Sequence, residues 1–136
     1  MGGKGRQMSG QTSFYVERQK PNGTWELILE DGEPAYLAEW GNRSFDQWVL
    51  RGLHRDEVGE PPPALCGLPV DASTGIRAME AQGHFEYESI GWMWLSDLVN
   101  HPAELLCEWK ELALTPGLRR LGLENEAGLR LIFSTD

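Results

Sequence analysis

TSFYVERQKPNGTWELIL, residues 12–29, is the stretch on which the fold turns. Its two ends, TSFYVERQ and TWELIL, are rich in β-branched and aromatic side chains, which suit a pleated and half-buried surface. Between them lies KPNG, where Asn22-Gly23 supplies the positive φ of a tight hairpin turn. A β-hairpin is therefore expected near the N-terminus. EDGEP at 30–34 follows as a second turn, because Asp and Gly favour turns through their own backbone chemistry.

Moving outward, SFDQWVLRGLHR places Phe45, Trp48, Val49 and Leu53 on one face of a helix that Ser44 caps. EVGEPPPALCGLPVD carries four prolines and cannot be helical, so it reads as a stiff connector. DASTGIRAMEAQG resumes as a short helix, capped by Asp71 or Ser73 and closed by Gly83. Residues 86–95 read as extended. Pro102 opens a further helix, PAELLCEWKEL, with Leu105, Leu106, Trp109 and Leu112 inward. RRLGLE and LRLIFS, joined by NEAG, read as a closing hairpin. The order predicts an α+β fold: an antiparallel sheet built from N- and C-terminal hairpins, covered on one face by two or three helices. The chain of 136 residues suits one domain over 8–136, with MGGKGRQ at 1–7 as a flexible extension or a cloning remnant and Met8 as the natural start.

Twelve Lys and Arg stand against 21 Asp and Glu, giving a net charge of −9. That field opposes phosphate backbones and anionic lipid, so no direct nucleic-acid or membrane contact is expected. It favours a protein partner with a basic surface, because complementary potentials speed and orient encounter. No run approaches the roughly 18 apolar residues of a membrane span, and no apolar stretch follows Lys4 and Arg6 as in a signal peptide. A reducing, cytoplasmic setting follows, in which Cys66 and Cys107 read as small buried hydrophobes.

Phosphate-loop, dinucleotide, zinc-protease and nucleophile-elbow signatures are all absent. Neither cysteine has CxxC or paired-histidine spacing, and no metal or cofactor is expected. Glu86 and Glu88 share a face if their segment is a strand. Two such carboxylates divide acid and base roles only when their surroundings separate their pKa values, and a solvated face is the commoner outcome. Trp25, Trp48 and Trp109 fall on core periodicities. Trp92 and Trp94 share a face, either packed in the core or, since Trp is enriched among interface hot spots, anchoring a partner.

Three stretches together resemble a family of small bacteriophage and prophage proteins. SGQTSFYVERQKPNGTWELI is similar to its opening, which characteristically carries a Gly-Cys-Asp-Ile-His motif running into a strand. NRSFDQWVLRGLHR resembles its Arg-Asn-Tyr helix, and PPPALCGLPVDASTGIR its Pro-Pro-Arg-Gly-Leu-Pro segment with a capped helix. YESIGWMWLSDL is similar to a His-Ser-His-Ser run before Trp-Leu-Thr-Leu. The likeness spans most of residues 8–100. Cys, Asp and His with two more histidines would form a metal or acid-base cluster in the relatives. Here the matching positions hold Gly10, Gln11, Ser13, Glu88 and Ile90. The resemblance thus implies a scaffold that has lost that cluster.

The reading placed first is a phage- or prophage-encoded acidic inhibitor without catalysis. It would dock in the host bacterial cytoplasm on a nucleic-acid-handling defence protein, such as a CRISPR effector. Its expected contacts are Glu30, Asp31, Glu33, Asp56, Glu57, Glu60, Glu86, Glu88, Trp92 and Trp94. Two alternatives stand beside it. One is an accessory or structural phage protein. The other is a divergent hydrolase-like enzyme with a residual site on Glu88, His84 and Glu17.

Overall fold

A computed structural model describes residues 12–37, 45, 67–85, 90–101 and 104–135. Strand β1 (Thr12–Gln19) turns through Lys20–Thr24 into β2 (Trp25–Leu27). Gly23 takes φ 92° in that turn, and the Asn22 side-chain oxygen accepts from the Thr24 amide at 3.0 Å. The expected hairpin is present. Strands β3 (Leu29–Glu30) and β4 (Glu33–Pro34) form a second, very short hairpin, its turn made by Asp31 at φ 56° and Gly32 at φ 81°. Helix α1 (Thr74–Ala81) follows, then β5 (Ile90–Trp94), α2 (Leu95–Val99), α3 (Glu104–Trp109), a π-turn over Lys110–Leu114, α4 (Thr115–Arg120) and β6 (Leu129–Thr135).

The chain is α+β with an antiparallel sheet, as its pattern predicts. The main sheet runs β2-β1-β6-β5, so the two ends of the chain pair at its centre. β6 lies beside β1 with Phe14 opposite Phe133 and Glu17 opposite Arg130. On one face Phe14, Val16, Leu131 and Phe133 pack against Leu95, Leu98, Leu106, Trp109, Leu114 and Leu118 from α2 through α4. Phe45 is fully buried there, its ring 4.8 Å edge-on to Phe14 and 5.0 Å from Phe133. Its inward placement agrees with the periodicity of its segment; Trp48, Val49 and Leu53 lie outside the described residues. On the opposite face Tyr15 and Ile132 pack under Ile76 and Met79 of α1. α1 is thus a cover additional to the helical layer that the pattern predicts on one face.

The local caps explain where α1 begins and ends. Ser73 Oγ accepts from the Ile76 amide at 3.1 Å, and Gly83 at φ 81° closes the helix with Gly83 donating to Glu80 and His84 to Met79. The C-terminal hairpin needs correction. Residues 119–124 are the end of α4 and its cap, not a strand: Gly122 takes φ 72°, and Leu123 donates to Leu118 while Gly122 donates to Arg119. Arg119 and Arg120 complement the helix C-terminus, a signal that outweighs the alternation of RRLGLE. Two further corrections arise from helix phase. Cys107 is exposed, because Leu106 and Trp109 take the inward face of α3. Leu112 is 50% exposed, because the π-turn advances the phase and buries Ala113 and Leu114 instead. Cys66 lies outside the described residues.

Helix α4 sits unusually close to its neighbour. A Cβ on Gly117 would stand 1.7 Å from the Leu37 carbonyl oxygen, so only glycine permits this approach.

Candidate functional site

Strand alternation puts Glu17 on the same face as Tyr15, and Arg130 on the same face as Ile132. The register sets the two charges directly opposite each other on β1 and β6. Glu17 is fully buried and Arg130 is 3% exposed. Each alone would carry a desolvation cost of several kcal/mol, on the order of what makes buried ions rare. Together their polar atoms find partners. Arg130 Nε donates to Glu17 Oε1, and the second carboxylate oxygen accepts from the Ser73 amide at 2.7 Å. Arg130 Nη1 donates to Asp71 Oδ1 at 2.8 Å and Nη2 to the Asp71 carbonyl at 3.0 Å. The ion pair therefore ties the sheet to the N-cap of α1 and to the loop before it.

Tryptophans enclose the guanidinium. Its central carbon lies 3.9 Å from the centroid of Trp25 and 5.4 Å from that of Trp92. Trp94 extends the layer outward, 5.9 Å from Trp25 and 5.7 Å from Trp92. Arginine suits this place because its flat, weakly hydrated fork both stacks and donates in plane, which a lysine ammonium does not do. Trp94 remains 42% exposed and the Asp71 side chain 66% exposed, so the layer ends in an indole and a carboxylate facing water. The hydrogen bond from Arg130, with a smaller contribution from the Trp25 indole, holds the Asp71 carboxyl below its ordinary range.

The loop carrying Asp71 is pinned. Gly67 donates to the Ile90 carbonyl at 2.8 Å, Ala72 to Pro69 at 3.1 Å, and Arg77 Nη2 to the carbonyls of Pro69 and Val70 at 3.1 and 3.0 Å. Val70, next to Asp71, is 96% exposed.

Of the contacts anticipated from sequence, Trp92 and Trp94 come together on one face. Glu30 is engaged by Arg120, which also donates to the Tyr36 carbonyl. Asp31 and Glu33 are exposed on the β3–β4 hairpin, a two-stranded sheet of its own. Asp56, Glu57, Glu60, Glu86 and Glu88 lie outside the described residues. Glu17, considered as a residual catalytic group, is held by Arg130 and Ser73, while His84 is exposed at the end of α1. Ser13 and Ile90, at two positions of the missing cluster, both pair with Ser134 on β6, one from each side; Gly10 and Gln11 are outside the described residues. Among the described residues no three His, Cys, Asp or Glu side chains are placed to hold a metal ion. No described helix is long and apolar enough to cross a membrane.

A pocket of about 410 Å³ beside α4 is lined by Arg119, Gly122, Glu124, Asn125 and Glu126. Its charges are mutually engaged or paired with the sheet, Arg119 with Glu124 at 2.8 Å and Arg18 with Glu126 at 2.6 Å. The aromatic and acidic face around Arg130 is the stronger candidate. No protein-family model, curated protein or solved structure matches this chain.

Sequence reasoning named Trp92 and Trp94, offered Glu17 only as a residual catalytic group and Asp71 only as a helix cap, and missed Arg130 and the pairing of the three. The signal was a charge at an inward-facing position of each of two apolar strands, Glu17 in FYVERQ and Arg130 in LRLIFS. Converting it to a pair required the β1–β6 register, which spans nearly the whole chain.

Proposed function

We propose that this protein is a non-catalytic binding domain that docks on another protein through the face carrying Trp94. The observation that carries the reading is an exposed tryptophan mounted on a layer whose interior charges are fixed in mutual hydrogen bonds. Hot spots favour a large aromatic side chain presented at low entropic cost beside desolvated, well-packed neighbours. The net charge of −9 supports a partner with a basic surface. The resemblance to phage and prophage proteins supports the finer form of the reading, an inhibitor of a host protein that handles nucleic acid.

The test is affinity capture from a bacterial host lysate at low and high salt, with bound proteins identified by mass spectrometry. The reading predicts one stoichiometric basic partner, retained at low salt and released at high salt. Capture of nothing by folded protein, or of a partner indifferent to salt, contradicts it.

A further inference from the structure

We infer that Trp94, Asp71 and Val70 form a receptor for an arginine side chain of a protein partner. This rests on the binding-domain reading above and specifies the chemistry of its contact. Three observations converge. First, Trp94 offers an exposed indole that packs against the rings of Trp25 and Trp92. An indole face is the preferred aromatic surface for a cation. Second, the charges of the cluster do not cancel. Glu17 and Asp71 contribute two negatives against the single positive of Arg130, and the member that faces water is the Asp71 carboxylate. Asp71 is held ionised by its partners, so it presents that charge throughout the neutral range. Third, the loop bearing Val70 is fastened at Gly67, Pro69, Val70 and Asp71, which places an apolar side chain beside the carboxylate without an ordering cost on binding.

Arg130 is the register partner of Trp94 and donates to Asp71, so an aromatic surface, a carboxylate and an apolar neighbour gather about one side chain and match the three parts of an arginine. The guanidinium stacks on the indole, its edge donates to the carboxylate and its methylene stem lies on the valine. Internal packing already contains this arrangement once, with Arg130 between Trp25 and Trp92 and its edge on Asp71. Phosphate ligands do not fit, since the exposed polar group is itself anionic.

The experiment is an NMR titration of ¹⁵N-labelled full chain with N-acetyl-arginine methylamide and, separately, with its neutral isostere N-acetyl-citrulline methylamide. The Trp94 indole signal is assigned by its disappearance in Trp94→Phe. The arginine probe is expected to shift that signal and the amides of Val70 and Asp71 saturably, with the citrulline probe producing no saturable change. Trp94→Ala is expected to weaken arginine binding about fivefold or more, and Asp71→Asn to do the same. Thermal unfolding of Asp71→Asn separates lost binding from lost structure, and Trp94→Ala leaves the ion pairs intact. Equal responses to the two probes, or no saturable response of this patch to arginine, overturn the receptor. Failure of lysate capture alongside an arginine-specific response removes the partner reading while leaving the site standing.

Discussion

Arg130 is accommodated in the interior because its donors meet Glu17 and Asp71, its guanidinium lies over the rings of Trp25 and Trp92, and Glu17 gains a second donor from Ser73. Such a pair adds little net stability over well-packed apolar residues, whereas breaking one side leaves an uncompensated buried ion. Glu17→Gln or Arg130→Met alone is therefore expected to cost about 3–5 kcal/mol in urea unfolding, while Glu17→Leu combined with Arg130→Met recovers much of that loss. Additive single-variant losses in the double variant would show that the two side chains are not coupled. The contribution of the pair is geometric: it fixes Asp71 and the α1 cap relative to the sheet, and with them the exposed edge of the tryptophan layer.

At the scale of elements, the π-turn between α3 and α4 decides which leucines reach the core. Leu114→Ala is expected to cost about 2–5 kcal/mol by leaving a cavity, and Leu112→Glu to stay within about 0.5 kcal/mol. A continuous α-helix through Lys110–Leu114 would reverse that order, so denaturant midpoints of the two variants check the phase. Gly117→Ala is expected to cost about 3 kcal/mol or more, because its methyl would meet the Leu37 backbone and not a movable side chain. The first hairpin, the α1 cap and the inward faces of Phe45, Leu106 and Trp109 were legible because short-range rules govern them. The phase change at Lys110 and the loss of the terminal hairpin were not. A π-turn has no reliable residue signature, and RRLGLE satisfies both a strand alternation and a helix ending, which only Gly122 at positive φ resolves. The face shared by Trp92 and Trp94 was readable from period-two spacing. The ion pair beneath it depended on a pairing between opposite ends of the chain.

At the scale of the molecule, the carboxylates that folding holds below their usual range among the described residues are Asp71, Glu124 and Glu126, paired with Arg130, Arg119 and Arg18 respectively. A depressed folded pKa stabilises the fold above the unfolded value and withdraws that contribution as pH falls through the folded one. Unfolding free energy is thus expected to decline as pH drops below about 4, the ordinary carboxylate range. Asp71→Asn, which removes one of these groups, is expected to show a shallower decline in urea titrations over the same interval. An acid limb unchanged by Asp71→Asn would mean that folding does not favour the Asp71 carboxylate.

The same scale holds the central claim, that this acidic domain meets a protein partner through the face ending in Trp94. The most direct measurement is side-by-side capture from host lysate by the wild type, Trp94→Ala and Leu112→Glu, each verified as folded. Leu112→Glu is the control, an exposed residue of the helical layer covering the opposite face of the sheet. A partner held by the wild type and Leu112→Glu but lost by Trp94→Ala is the predicted result. A partner retained by Trp94→Ala as well as by the wild type would contradict the account.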